Sequence, residues 1–141
     1  MNRPTVNFTL YSGKTEPCYV DIANYMANPN SIALQLTCLD GEPMAMTTVN
    51  LGYGLDFGLA FLDTNNVPLE KLKDFLEKTG AEPVKNHNGK EVTARSGYCE
   101  YPLYKFDLDK LKEFDPKGFD RVSSAIKGYE KEQDEIDEQE M

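Results

Sequence analysis

The sequence predicts an α+β domain: a mainly antiparallel sheet of roughly five to seven strands with two or three helices packed on one face. Three observations carry that expectation. Apolar residues in the first half of the chain alternate with period two. Beyond Leu62 they recur at helical spacing. Between these runs stand short clusters of Gly, Pro, Asn and Asp, the residues that turn a chain.

Residues 5–11 place Val6, Phe8 and Leu10 on one face and Thr5, Asn7 and Thr9 on the other, as a half-buried strand does. Ser12-Gly13-Lys14 is a turn. Residues 18–25 form a second strand with Cys18, Val20 and Ile22 in register. Asn28-Pro29-Asn30 reads as punctuation before a third strand over 32–39. Asp40-Gly41-Glu42-Pro43 between apolar runs is a hairpin signal, and residues 44–51 then return as one strand. Gly52, Gly54 and Gly58 lead into Leu59-Ala60-Phe61-Leu62, a short buried strand.

The period then changes. Asp63-Thr64-Asn65-Asn66 supplies cap-forming side chains, Pro68 suits a first helical turn, and Gly80 suits a stop. With Leu69, Leu72, Phe75 and Leu76 at helical spacing, a helix is expected over 68–79. Residues 82–90 read as a loop, 91–95 and 99–106 as strands around Ser96-Gly97, and Leu108, Leu111 and Phe114 as a short helix. Asp115-Pro116 is an N-cap followed by a proline at the first helical position. Phe119, Val122, Ile126, Tyr129 and Ile136 then form one apolar stripe. Gly118 and Gly128 inside that helix each weaken it by about 1 kcal/mol relative to Ala.

At about 100–200 residues per domain, a chain of 141 residues is expected to hold a single domain, over 1–129. Residues 130–141 follow as an acidic tail or frayed helix end, with seven acidic residues and one lysine. Apolar residues make up 40% and aromatics 11% of the chain, enough for a packed core and against wholesale disorder. The formal net charge is −9, which argues against direct binding of nucleic acid through its phosphates. No apolar run approaches the roughly 20 residues that span a bilayer, so no membrane partner is expected. Residues 1–13 lack the apolar run of a secretory leader, and a cytoplasmic location is expected. Cys18, Cys38 and Cys99 are odd in number, far apart, and without a C-x-x-C pair. They read as reduced thiols, with neither a zinc site joined by His87 nor any cofactor expected.

No nucleotide-binding, nucleophile-elbow or zinc-protease motif occurs, so no catalytic residues and no enzyme activity are expected. His87 sits in a turn, Asn86-His87-Asn88-Gly89, with no partner nearby in sequence. Cys99, beside Ser96-Gly97-Tyr98, has Arg95 close but no base. The binding candidates are of three kinds. Asp63, Asn65 and Asn66 follow a strand, where binding loops often sit; they also suit helix capping, the role favoured here, with Asn66 as the N-cap. Tyr98 and Tyr101 belong to an aromatic run with Tyr104 and Phe106. Glu130, Glu132, Asp134 and Glu135 lie in the acidic tail.

Several segments, in order, resemble a known family. They are Ser31-Ile32-Ala33-Leu34-Gln35-Leu36, Asp40-Gly41-Glu42-Pro43, Thr48-Val49-Asn50-Leu51, Ala60-Phe61-Leu62-Asp63-Thr64-Asn65-Asn66, and Ser96-Gly97-Tyr98-Cys99-Glu100-Tyr101-Pro102-Leu103-Tyr104. Together they resemble the domain-of-unknown-function family 4313, over about residues 31–114. The resemblance implies a small acidic accessory protein of a bacterial mobile element or phage and carries no catalytic residues. The function expected is binding of a protein partner that has a basic surface. Its sharper form is an inhibitor of a host-defence nuclease, anti-restriction or anti-CRISPR, whose carboxylates imitate nucleic-acid phosphates. The same charge also serves solubility. The alternative is a small enzyme or ligand-binding protein with its site near Asp63–Asn66 and Cys99.

Overall fold

A computed structural model of the protein describes residues 3–25 and 28–126. Four antiparallel strands come first: β1 (Val6–Thr9), β2 (Thr15–Tyr25), β3 (Asn28–Cys38) and β4 (Pro43–Met46), paired in that order. The period-two alternation sets their faces. Val6, Phe8, Cys18, Val20, Ile22, Leu34 and Leu36 are all buried in one core cluster. The triplet read as punctuation instead opens β3, and the β2–β3 register shifts at Asn24/Tyr25. A proline at the start of a strand costs no ladder bond in its interior.

The turns follow the chemistry of their residues. Leu10 N–H donates to the Lys14 carbonyl at 2.7 Å, Cys38 to Glu42 at 2.8 Å and Asn86 to Lys90 at 2.8 Å. Each pair closes a three-residue loop whose last residue, Gly13, Gly41 or Gly89, has positive φ. That is the hairpin loop in which glycine takes the left-handed position at least cost.

Residues 44–51 do not form one strand. The ladder to β3 ends at Met46, and β5 (Thr48–Val49) joins a second antiparallel sheet with β6 (Leu59–Leu62). Thr47 is the joint between them, completely buried. Its N–H and hydroxyl both donate to the Leu34 carbonyl, at 3.0 and 2.7 Å, while its own carbonyl accepts from Asp63 N–H at 2.9 Å. The second sheet continues from β6 to β9 (Cys99–Lys105). The far edge of β9 is shared by β7 (Glu82–Pro83) and β8 (Thr93–Ser96). Part of the expected 82–90 loop is therefore strand, closed by a bridge between Lys85 and Glu91.

A 3₁₀ turn (Leu69–Leu72) runs into α1 (Lys73–Lys78), which buries Leu72 and Phe75. Gly80 does end it. Its N–H donates to Glu77 and that of Ala81 to Leu76, the paired bonds of a Schellman stop. The start differs from expectation: Pro68 holds the cap position and no side chain bonds there. Asn66 is thus not the N-cap; its side-chain amide instead donates to Asp63.

Asp107 caps α2 (Leu108–Phe114), accepting from the N–H groups of Asp109 and Lys110. Residues 116–126 form α3. Asp115 caps it through Oδ1, which accepts from Gly118 N–H at 3.1 Å. Val122 and Ile126 enter the core, and Phe119 lies against Phe57 with ring centroids 5.5 Å apart. Tyr129, Ile136, Gly128 and the whole 130–141 tail lie outside the described residues. The fold is α+β and antiparallel, as expected, but the described strands form two sheets, of four and five strands, where one of five to seven was expected; one hydrophobic cluster draws on strands of both sheets and on all three helices.

Candidate functional site

The end of β6 gathers the polar groups. Asp63 is held there by its own backbone: its N–H donates to Thr47, and its carbonyl accepts from Asn66 and Val67. The side chain is half engaged. Oδ2 accepts from the Asn66 amide at 2.8 Å, while Oδ1 is shielded from solvent without a hydrogen-bond partner. A shielded carboxylate oxygen with no donor is costly, on the order of 1–3 kcal/mol or more for a charged group.

The β6–β9 register pairs Leu59 with Lys105 and Phe61 with Leu103. Asp63 stands just past the end of this ladder, on the side of Tyr101. The Tyr101 phenol is pushed up, first by its hydrogen bond with Cys99, then by burial, then by the negative charges of Cys99 and Asp63. Tyr25 is also pushed up, chiefly by burial and in part by Asp63; its hydrogen bond to Thr48 Oγ1, at 3.0 Å, works the other way. Tyr53, about half exposed, tilts against Phe61 with centroids 5.7 Å apart. The aromatic side chains that feel the Asp63 charge are Tyr25 and Tyr101.

On its other side Asp63 borders a cleft of about 410 Å³. Phe8, Leu10, Met44 and Met46 supply apolar walls; Asn66 and Lys71 supply polar ones. Tyr11 ties the β1–β2 turn across the opening. Its hydroxyl donates to the Asn66 carbonyl at 3.1 Å, and Lys71 Nζ lies 4.3 Å above its ring.

Of the sequence candidates, Asp63, Asn66 and Tyr101 come together. Asn65 is exposed beside them. Tyr98 stands fully exposed at the tip of the β8–β9 hairpin, away from the Asp63 contacts. Glu130, Glu132, Asp134 and Glu135 lie outside the described residues. His87 is exposed in its turn. Among the described residues, no group of three His, Cys, Asp or Glu side chains is placed to hold a metal ion. No helix among them is long and apolar enough to cross a membrane.

Sequence reasoning missed two features. Tyr25 and Thr48 belong beside Asp63, which only the strand crossing at Thr47 reveals. The second is an acidic tip on the first sheet. Burial pushes the Cys38 thiol up, and Asp40, Glu16 and Glu42 add to it. These three carboxylates all act on the Cys38 thiol, at the turn where Leu39 is 53% exposed. The signal was present in the spacing: Asp40 and Glu42 closely follow Cys38, and the β2–β3 register that pairs Cys18 with Cys38 brings Glu16 to the same end of the sheet.

The model of one family, described as Domain of unknown function (DUF4313), matches residues 18–126, from within β2 to the last described turn of α3. The chain belongs to the DUF4313 family. The match embraces Asp63, Tyr101 and the acidic tip at Asp40 and Glu42; β1 precedes it. Comparison with curated proteins finds no match, and neither does comparison with solved structures.

Proposed function

We propose that this DUF4313 protein is a non-enzymatic accessory protein that binds a protein partner through a basic surface of that partner, with Asp63 as the anchoring acceptor. The observation that carries this reading is Asp63 Oδ1, solvent-shielded and without a donor, on a carboxylate whose charge reaches Tyr25 and Tyr101. Asp63 is only half-buried, and an entering lysine or arginine side chain supplies what is lacking once the carboxylate turns toward it. It gives the carboxylate a charge-assisted hydrogen bond, and an aromatic face such as that of Tyr101 holds its charge. Glu16, Asp40 and Glu42 add attraction at longer range, which speeds encounter and weakens with salt. In the sharper form of the reading the partner is a nucleic-acid-binding defence nuclease of the host, and the protein travels with a mobile element.

Capture from bacterial lysate by immobilised wild-type and Asp63→Ala protein, at low and at high salt, tests the reading. A partner retained at low salt, released at high salt and lost in Asp63→Ala supports it. Retention that ignores both salt and the substitution overturns it.

A second reading, a small-ligand-binding protein, draws on the apolar cleft under Tyr11. Native mass spectrometry of the purified protein distinguishes it: a stoichiometric small molecule removed by Met46→Trp, with partner capture unchanged, favours the ligand.

A further inference from the structure

The β2–β3 register sets Cys18 directly opposite Cys38. The Cys38 N–H points away from β2, to the Glu42 carbonyl at 2.8 Å, so the two cysteines form a non-hydrogen-bonded pair. Such pairs bring their Cα atoms to about 4.5 Å with both side chains on one face. A disulfide spans about 4.4–6.8 Å between Cα atoms. Both thiols are free; Cys18 is completely buried, whereas Cys38 is partly open to solvent. Cys99 lies on β9 in the other sheet.

We propose that Cys18 and Cys38 form a thiol–disulfide exchange site, which a small-molecule disulfide such as glutathione disulfide converts into a cross-strand disulfide. Cys38 is the point of entry because it alone of the pair meets solvent. Its thiolate attacks one sulfur of glutathione disulfide, the S–S bond breaks, and one glutathione leaves as thiolate and takes up a proton. The Cys18 thiol then gives up its proton and attacks Cys38 Sγ, expelling the second glutathione. Two protein thiols are oxidised to one disulfide, and one glutathione disulfide is reduced to two glutathiones.

The surroundings set the pace. Burial, with the charges of Cys38 and Glu16, pushes the Cys18 thiol up to about 11, and Asp40, Glu16 and Glu42 oppose ionisation of Cys38. The thiolate fraction at neutral pH is therefore small. Below the thiol pKa the rate rises about tenfold per pH unit. The product ties β2 to β3 beneath the acidic tip. This site does not depend on the partner-binding reading.

The test exposes native full-length protein to glutathione disulfide at several pH values, quenches with an alkylating reagent, and maps peptides by mass spectrometry. The expected product is lighter by two hydrogens, with the Cys18 and Cys38 peptides joined and Cys99 alkylated. It forms about tenfold faster per pH unit in the neutral range. Cys99→Ser leaves the product unchanged, and Cys18→Ala stops at a glutathione adduct on Cys38. A lasting adduct on Cys38 of the wild-type protein with Cys18 still reduced overturns the proposal. So does a link that includes Cys99, or no reaction at alkaline pH.

Discussion

Asp115 Oδ2 accepts the backbone N–H of Ile22 at 2.9 Å, while its Oδ1 caps α3 at Gly118. One carboxylate thus serves two elements that are 93 residues apart in sequence. The arrangement answers a need of β2. Its partner β1 covers only residues 15–18, so the later residues of β2 have an open edge. Asp115 fills that edge at Ile22. Arg3 fills it one step earlier, donating to the Val20 carbonyl at 2.9 Å and reaching Phe114 at the end of α2. Replacing Asp115 with Ala removes a cap, worth about 1 kcal/mol, and leaves a buried N–H without an acceptor, about 1–3 kcal/mol. A loss of about 2–4 kcal/mol in chemical denaturation is expected.

Gly118 tests the same contact by size. Helix propensity alone favours Ala there by about 1 kcal/mol. A Cβ at this position, however, would lie 2.5 Å from the Ile22 carbonyl oxygen and 2.1 Å from Asp115 Oδ2. The first of these is backbone and cannot swing aside. Overpacking costs about 1–3 kcal/mol and occasionally more. Gly118→Ala is therefore expected to destabilise, and a denaturation midpoint at or above that of the wild type would refute the close approach of α3 to β2.

The start and stop of α1 give opposite expectations for two residues. Asn66→Ala should change stability by less than about 0.5 kcal/mol, as surface substitutions away from caps do, because Asn66 caps no helix and its exposed bond to Asp63 is replaced by water. Gly80→Ala should cost about 1 kcal/mol or more. Its φ is +65°, and a Cβ would meet Asp107 Cβ at 2.8 Å. Thermal unfolding of the two variants side by side checks both.

These pairs also show which parts of the fold can be read from sequence. The alternation through Val6, Phe8, Cys18, Val20 and Ile22 was legible because one face of each strand is buried, and burial imposes the period. Gly80 and Asp115 were legible because caps and stops are set by near neighbours; the Asp107 cap of α2 was not singled out. Thr47 was not legible. The strand breaks there because Leu34 and Asp63 flank it, and neither is local. Asn66 followed the composition of a cap, but Pro68 took the position. Gly118 read as a weakness because its reason, the Ile22 carbonyl, lies in another element. At the candidate site, Asp63 and Asn66 were visible as a polar cluster at a strand end. The nearness of Asp63 to Tyr101 needed the register of a strand some 40 residues away.

Cys18 makes stability depend on pH at the alkaline end. Its folded pKa, about 11, lies above the ordinary value of 9.0. The folded state therefore holds its proton where the unfolded state has lost it. The stabilising contribution is complete below pH 9 and is lost progressively as pH rises through about 11. A pKa difference of this size corresponds to roughly 2–3 kcal/mol. Cys18→Ala should flatten this alkaline decline; a decline of the same steepness in the variant would place its origin elsewhere.

Asp63 supplies the last prediction, which needs no partner. Its charge helps to raise the phenols of both Tyr25 and Tyr101. Asp63→Asn keeps the side-chain shape and removes the charge, so both phenols should ionise at lower pH. The fall should be incomplete. Burial still raises Tyr25, and the bond with Cys99 still raises Tyr101. Ultraviolet titration of phenolate absorbance, with Tyr25→Phe and Tyr101→Phe to assign the signals, reads this directly. Two phenols that move down together place the carboxylate between them. Phenols that stay put would remove Asp63 from the neighbourhood of Tyr25 and Tyr101 and, with it, the acceptor on which a cationic side chain of a partner is proposed to dock.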